Sequence, residues 1–349
     1  MNRKKTRKIR IGNTYIGGDS KIAIQSMTNT DTRDINSTVQ QIKALEVAGC
    51  DIVRVAVINK EAAQAIKEIK RSIKVPIVAD IHFDYRLAVE SIENGADKIR
   101  INPGNIGSFD RVKAVVDKAR ERKIPIRIGI NSGSLEKDIL EKYQGVTPEG
   151  LVESAVRNVN LMEKLDYNNL VFSLKASDVF LTVESYRKMA NISDFPLHIG
   201  VTEAGTYFSG TIKSSVGLGT LLIDGIGDTI RVSLTGEPVS EIRVAREILK
   251  SVGIEKKGVE LISCPTCGRC QNNLIKVTEE LEKRLADIDK NIKVAVMGCS
   301  VNGPGEAKEA DIGIAGGVGE FLLFKKGKVI RKIIDSRVVE ELLDEIVNI

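Results

Sequence analysis

Tryptophan is absent from this 349-residue chain and aromatic residues make up only 4% of it. So few flat side chains leave little from which to build a base-stacking surface for nucleic acid. No apolar run approaches the roughly 18 residues that cross a bilayer, and no hydrophobic signal region opens the chain. These absences predict a soluble, cytoplasmic protein with no membrane partner. Cysteine is scarce at five residues. In a reducing compartment such thiols serve metal or redox chemistry in preference to disulfides. The formal charge of +5 is local, because six of the 52 basic residues fall within residues 1–10, where there is no acid. The remainder carries 46 basic against 47 acidic residues. A flexible, solvated basic tail is the expectation, with no nucleic-acid partner.

What the chain has is repetition. Short β-branched runs ending in a polar residue alternate with segments whose apolar residues recur at i, i+3 and i+4. Strands are predicted near 22–25, 52–57, 77–80, 98–101, 126–130, 170–173, 197–201 and 229–233. Eight strand–helix units match a TIM barrel in count and length. An open doubly wound sheet alternates in the same way but does not usually need eight units, and no G-x-G-x-x-G follows the first strand. In the first helix Ser37 is the predicted N-cap, Val39, Ile42 and Leu45 form the buried face, and Gly49 ends it. Ser240 is read as the start of another, with Ile242, Ala245 and Leu249 buried and Gly253 as its stop.

A Lys-Lys-Gly linker at 256–258 then separates a barrel domain, 1–255, from a smaller α/β domain, 259–349. In the latter a helix is predicted near 274–286, strands near 294–297 and 312–315, a hairpin around 325–328 and a last helix near 338–347.

In a TIM barrel the C-terminal strand ends converge on the active site. Here those ends carry Gln25, Arg54, Asp80, His82, Arg100, Asn102, Arg127, Asn131, Lys175, His198, Glu203, Arg231 and Ser233. Five are cations: Arg54, Arg100, Arg127, Lys175 and Arg231. A purely structural role would require five acidic partners, and only Asp80 and Glu203 are evident. The concentration therefore calls for an anion, and arginine forks match phosphate oxygens. A small, multiply phosphorylated substrate is predicted. His82 and His198, the only two histidines in the chain, both stand at strand ends.

Four of the five cysteines cluster near the C-terminus, as Cys264-Pro-Thr-Cys267-Gly-Arg-Cys270 and Gly298-Cys299-Ser-Val-Asn302-Gly303-Pro304-Gly305-Glu306. Thiolates at C-x-x-C spacing hold soft metal centres. The residues alone leave structural zinc and an iron–sulfur cluster both open. The glycine-rich turn after Cys299 allows backbone close to a bulky group, and Glu306 offers an oxygen ligand; both favour iron–sulfur. Cys50 is read as a small buried residue.

These two motifs, together with Gln25-Ser-Met-Thr-Asn-Thr, Val53-Arg-Val-Ala, Ala79-Asp-Ile-His-Phe, Lys98-Ile-Arg-Ile-Asn-Pro-Gly-Asn, Ile128-Gly-Ile-Asn-Ser-Gly-Ser, Ser173-Leu-Lys-Ala-Ser and His198-Ile-Gly-Val-Thr-Glu-Ala-Gly, resemble those of the bacterial 4-hydroxy-3-methylbut-2-enyl diphosphate synthases, the GcpE family. The resemblance implies a TIM barrel with a C-terminal [4Fe–4S] domain. It also implies reductive ring opening of 2-C-methyl-D-erythritol 2,4-cyclodiphosphate in the non-mevalonate isoprenoid pathway, with reduced flavodoxin or ferredoxin as donor. Carried onto this chain, the cluster ligands are Cys264, Cys267, Cys299 and Glu306. The substrate contacts are Arg54, Arg100, Asn102, Arg127, Asn131, Lys175, Arg231 and Ser233, and Glu203 is the acid near the reacting carbon. A homodimer is implied, with the cluster domain of one subunit closing on the barrel of the other. Cys270 departs from the family pattern and either competes with Cys299 for the third sulfur position or serves no role; Cys299 is preferred because that choice ties the two motifs together. Two other readings stay open on the residues: a Schiff-base aldolase using Lys175 with a zinc-stapled appendage, and a nucleic-acid-binding zinc module fused to a barrel.

Overall fold

The eight β-branched runs form eight parallel strands in a computed structural model that describes residues 3–256, 258–286, 288–299 and 307–349. They are β3 (Ala23–Met27), β4 (Ile52–Ala56), β5 (Ile77–Asp80), β6 (Lys98–Ile101), β7 (Ile126–Asn131), β8 (Leu170–Lys175), β9 (His198–Ile199) and β10 (Thr229–Ile230). Their order is β8-β7-β6-β5-β4-β3-β10-β9. A parallel bridge from Phe172 in β8 to Leu197, just before β9, brings the two edges together. With a helix in each crossover, this is the predicted TIM barrel. The last two strands pair over only two residues each, where five had been expected. Beyond them the backbones crowd: a Cβ on Gly200 would lie 2.6 Å from the Arg231 carbonyl oxygen.

The basic N-terminus is not a free tail. Ile9–Ile11 (β1) and Thr14–Ile16 (β2) form a hairpin turned at Gly12, whose φ of 57° suits glycine. Its Ile9, Ile11 and Ile16 pack on Ala23, Ile52, Val78 and Val171, inward residues near the strand starts, and so close the N-terminal end of the barrel. Burying three isoleucines offsets the cost of ordering the segment. The preceding residues are held as well, by Arg3 to Asp228 at 2.6 Å and by Arg7 N–H to the Asp194 carbonyl at 2.8 Å. Two of the six basic side chains thus answer acids elsewhere in the barrel, which composition does not reveal.

Two helix starts lie earlier than expected. The first helix is Ile35–Ala48, capped by Asp34, which accepts from Ser37 N–H; Ser37 lies inside the first turn. Val39, Ile42 and Leu45 are buried as read, and Gly49 ends the helix at φ 92°. The second helix starts at Pro238, two residues before Ser240, because proline suits the first helical position.

The chain divides into two compact units, Met1–Val252 and Gly253–Ile349. The second holds one sheet in the order β11 (Val259–Ser263), β12 (Ile292–Met297), β13 (Ile312–Gly316), β14 (Glu320–Lys325), β15 (Lys328–Ile334). The first three strands are parallel and the last two antiparallel. Helices Leu274–Leu285 and Val338–Val347 place Leu281, Leu342 and Ile346 against Val294, Val296 and Ile314 to make its core. Lys257 of the expected linker is outside the described residues, as are residues 300–306.

Candidate active site

Alternation along a strand sends every second side chain into the barrel. Asp80 pairs in register with Arg100, and Arg100 with Arg127, so three charged side chains stand side by side. Asp80 is their hub. Its Oδ1 lies 3.3 Å from Arg100 Nη1, and its Oδ2 lies 3.8 Å from Arg54 Nε and 3.5 Å from His82 Nε2. Arg127 Nη1 donates to Gln25 Oε1 at 3.2 Å. Across the barrel, Lys175 Nζ is 3.2 Å from His198 Nε2, and His198 Nδ1 is 2.7 Å from Thr229 Oγ1. Arg231 Nε lies 3.7 Å from Glu241 Oε2.

The five predicted cations therefore do gather inside the barrel. A sixth, Lys98, is fully buried beside them. Among the described residues Asp80 and Glu241 are the carboxylates paired with them. Lys98 was legible: it lies two residues before Arg100 on the same strand, and so on the same face. Glu241 was not, because it projects from the helix Pro238–Ser251, where its carboxylate accepts from Ser26 Oγ at 2.8 Å and Leu234 N–H at 3.1 Å. Glu203, expected as a partner for the cations, is exposed on the loop after β9 at φ 51° and makes no ion pair among the described residues. Asn102 is committed in part to structure, since its Oδ1 accepts from Gly104 N–H and caps the short helix Pro103–Ile106. Asn131, at the end of β7, and Ser233, three residues beyond β10, stand partly exposed, and His82 is more than half exposed.

The electrostatics follow from burial and crowding. Burial alone would raise the Asp80 carboxyl, but Arg54, His82, Arg100 and Arg127 outweigh it and hold the group well below the usual carboxylate range. Burial, with Arg231 and Arg100 nearby, pushes Arg54 down to about 10 despite Asp80. Burial and the neighbouring arginines also push Arg127, Lys98, Lys175 and His198 well below their ordinary values. Cys50 is a buried thiol, as read, pushed up to about 12 by desolvation.

Close packing fixes these groups in place. A Cβ on Gly129 would lie 2.6 Å from Arg100 Nε, so Gly129→Ala displaces that guanidinium from Asp80 while the strand persists. We expect a folded protein whose affinity for a diphosphate ligand is about ten- to hundredfold weaker, by titration calorimetry.

In the second unit, Cys264 follows β11 and Cys299 follows β12. Because β11 and β12 pair in parallel with Ser263 opposite Val296, motifs far apart in sequence emerge at neighbouring strand ends. Gly298 N–H donates to Cys264 Sγ at 3.1 Å. A Cβ on Gly298 would lie 3.1 Å from Cys270 Sγ and 3.4 Å from Cys264 Sγ, so both sulfurs turn toward the start of the second motif. Cys267 is exposed, and among the described residues no three ligand side chains stand together as a metal site. Asn302, Gly303, Pro304, Gly305 and Glu306 lie outside the described residues. Two soft thiols of the first motif, turned toward the glycine that opens the second where a side chain would block them, fit a group held at this end of the sheet.

The profile of the GcpE TIM-barrel domain matches residues 6–246, and that of the GcpE protein C-terminal domain matches residues 260–348. The 4-hydroxy-3-methylbut-2-en-1-yl diphosphate synthase (flavodoxin) of Ruminiclostridium cellulolyticum is 62% identical over 346 residues, covering 99% of this chain and 98% of its own. The enzyme of the same name from Clostridium acetobutylicum is 60% identical over the full length of both chains. That of Geobacter sulfurreducens is 59% identical over 99% of this chain and 98% of its own. Among solved structures, a dihydropteroate synthase from Stenotrophomonas maltophilia superposes with TM-score 0.53 at 13% identity, over 71% of this chain and 98% of its own. A type I 3-dehydroquinate dehydratase from Clostridium difficile gives TM-score 0.53 at 15% identity, with the same two coverages. These distant structures share the barrel alone. Two profiles spanning both units, and relatives near 60% identical from end to end, place the chain in the GcpE family.

Proposed function

We propose that this protein reduces 2-C-methyl-D-erythritol 2,4-cyclodiphosphate to (E)-4-hydroxy-3-methylbut-2-enyl diphosphate, using electrons delivered one at a time by reduced flavodoxin. The observation that carries the reading is the imbalance of the barrel interior, six basic side chains, four of them arginines, against Asp80 and Glu241 among the described residues. A small diphosphate supplies the missing negative charge in a form that arginine forks and a lysine can grip. The names of the full-length relatives agree with it. The reaction consumes two electrons with accompanying protons: a C–O bond of the ring opens, a hydroxyl departs as water and a C=C bond forms.

In this reading Arg54, Arg100, Arg127, Lys175 and Arg231 bind the diphosphate, and Asn102, Asn131 and Ser233 contact the substrate at the strand ends. Asp80 fixes Arg54 and Arg100 in place. Thr229 sets the orientation of His198, which holds Lys175. Glu203, on its exposed loop, is the acid that delivers a proton near the reacting carbon. Cys264, Cys267, Cys299 and Glu306 hold a [4Fe–4S] cluster, which when bound supplies single electrons and a Lewis-acidic iron. The working protein is a cytoplasmic homodimer whose subunits share the site.

Cys270→Ser tests the choice of Cys299. We expect about four iron and four sulfide per chain to remain in the variant; loss of iron would transfer the third sulfur position to Cys270. The function itself is tested by anaerobic incubation of the cyclic diphosphate with reduced flavodoxin. Appearance of the hydroxybutenyl diphosphate by mass spectrometry is the expected result. Unchanged cyclic diphosphate with iron-loaded protein would overturn the reading. The Schiff-base alternative at Lys175 is not favoured by the comparisons, and it predicts instead a borohydride-trapped adduct with a carbonyl substrate.

A further inference from the structure

Lys98 is the group that the proposed binding site leaves unexplained. It opens β6, one step below Arg100 on the inward face, and pairs in register with Val78. Val78 belongs to the apolar floor made by Ala23, Ile52, Val171 and the hairpin isoleucines, whose side chains offer Lys98 no hydrogen-bond acceptor. Around it lie Arg127 on the adjacent β7 and Arg54 on β4, one strand further on, with His198 across the barrel. Its Nζ is buried and has no hydrogen-bond partner among the described residues, and in this it is joined by Gln25 Nε2 and Arg127 Nε. Lys175, higher in the barrel, has the same difficulty. The charged groups around it are Arg54, Arg100, Arg127 and Arg231, and its Nζ meets His198 Nε2. Asp80 is engaged with Arg54, Arg100 and His82, and Glu241 with Arg231 and Ser26. Neither amine has a carboxylate partner among the described residues.

Building on the diphosphate reading, we propose that Lys98 and Lys175 are neutral amines in the empty barrel, and that entry of the anionic substrate draws protons from solvent onto them. Lys98 is then a proton-accepting site beneath the anion site, one layer away from any contact with substrate. A charged, unpaired ammonium among arginines is costly in a buried site, whereas a neutral amine is tolerated and its lone pair can accept an N–H. Burial and the nearby arginines depress both lysines in the free protein, in accord with this arrangement. A bound diphosphate reverses the local field and raises both groups toward the ordinary lysine range. The sign follows from linkage. Between the depressed free-state values and the raised bound-state values, binding takes up protons, so affinity falls as pH rises through that window, about tenfold per pH unit for each proton taken up.

The test is titration calorimetry of the iron-loaded, unreduced protein with the cyclic diphosphate at pH 8, in Tris and in HEPES, whose ionisation enthalpies differ. Both acidic protons of this cyclic diester are lost well below neutrality, so any proton taken up belongs to the protein. We expect the observed heat to depend on the buffer, with a slope corresponding to uptake of about one proton or more per ligand bound. Saturable binding with buffer-independent heat would overturn the proposal and leave the diphosphate reading intact. Absence of binding would remove that reading and the proposal with it. Lys98→Met and Lys175→Met locate the protons: reduced uptake in each supports the assignment, whereas undiminished uptake in both would transfer the role to His198 and refute it. The wild-type buffer comparison is decisive even if either variant fails to fold.

Discussion

Replacing Cys264 by serine is expected to reduce iron and acid-labile sulfide in anaerobically purified protein to well under one of each per chain, and turnover by at least about a thousandfold. The expectation rests on geometry as well as family. Cys264 leaves β11 beside the end of β12, and its sulfur already accepts from Gly298 N–H at 3.1 Å, where the second motif begins. A serine oxygen is harder and far less acidic than a thiol, and it does not replace a thiolate on a soft centre. The barrel has its own core and is predicted to retain its affinity for the cyclic diphosphate. Parallel loss of diphosphate binding would mean that Cys264 supports the fold of the whole chain. Retention of a full cluster would remove it from the ligand set.

Arg127→Met carries the second large effect, and its two halves have opposite signs. Arg127 is 1% exposed, donates to Gln25 and lies among Arg54, Arg100 and Lys98. Methionine keeps much of the volume and removes the buried, repelled charge, so the ligand-free protein is expected to gain about 1–4 kcal/mol, a melting temperature several degrees higher. Affinity for the cyclic diphosphate falls about a hundredfold or more, because charge-assisted hydrogen bonds to phosphate disappear. A binding site that stores repulsion in its empty state accounts for both signs. A lower melting temperature with unchanged affinity would instead make Arg127 a structural residue.

Much of this was legible in the sequence, for physical reasons. Runs such as Ile77–Asp80 and Lys98–Ile101 are short, rich in isoleucine and valine and bounded by turn signals, and they form strands with the predicted ends. The inward cations followed from period-two alternation once a barrel was inferred. Where the reading failed, the determinant was a partner distant in the chain. Ile9, Ile11 and Ile16 are dispersed among basic residues, and only the barrel floor explains their burial. Glu241 reaches the site from a helix, and Lys98 serves a layer beneath the strand ends on which the reading concentrated. The close approach at Gly200 that shortens β9 and β10 is a three-dimensional fact with no local signal.

The central claim is reductive ring opening, and counting electrons against product tests it most directly. Reduced flavodoxin is titrated anaerobically into iron-loaded protein with excess cyclic diphosphate, while 4-hydroxy-3-methylbut-2-enyl diphosphate is quantified by mass spectrometry. The account predicts two one-electron oxidations of flavodoxin for each molecule of product. Flavodoxin that stays reduced beside unchanged cyclic diphosphate would contradict it.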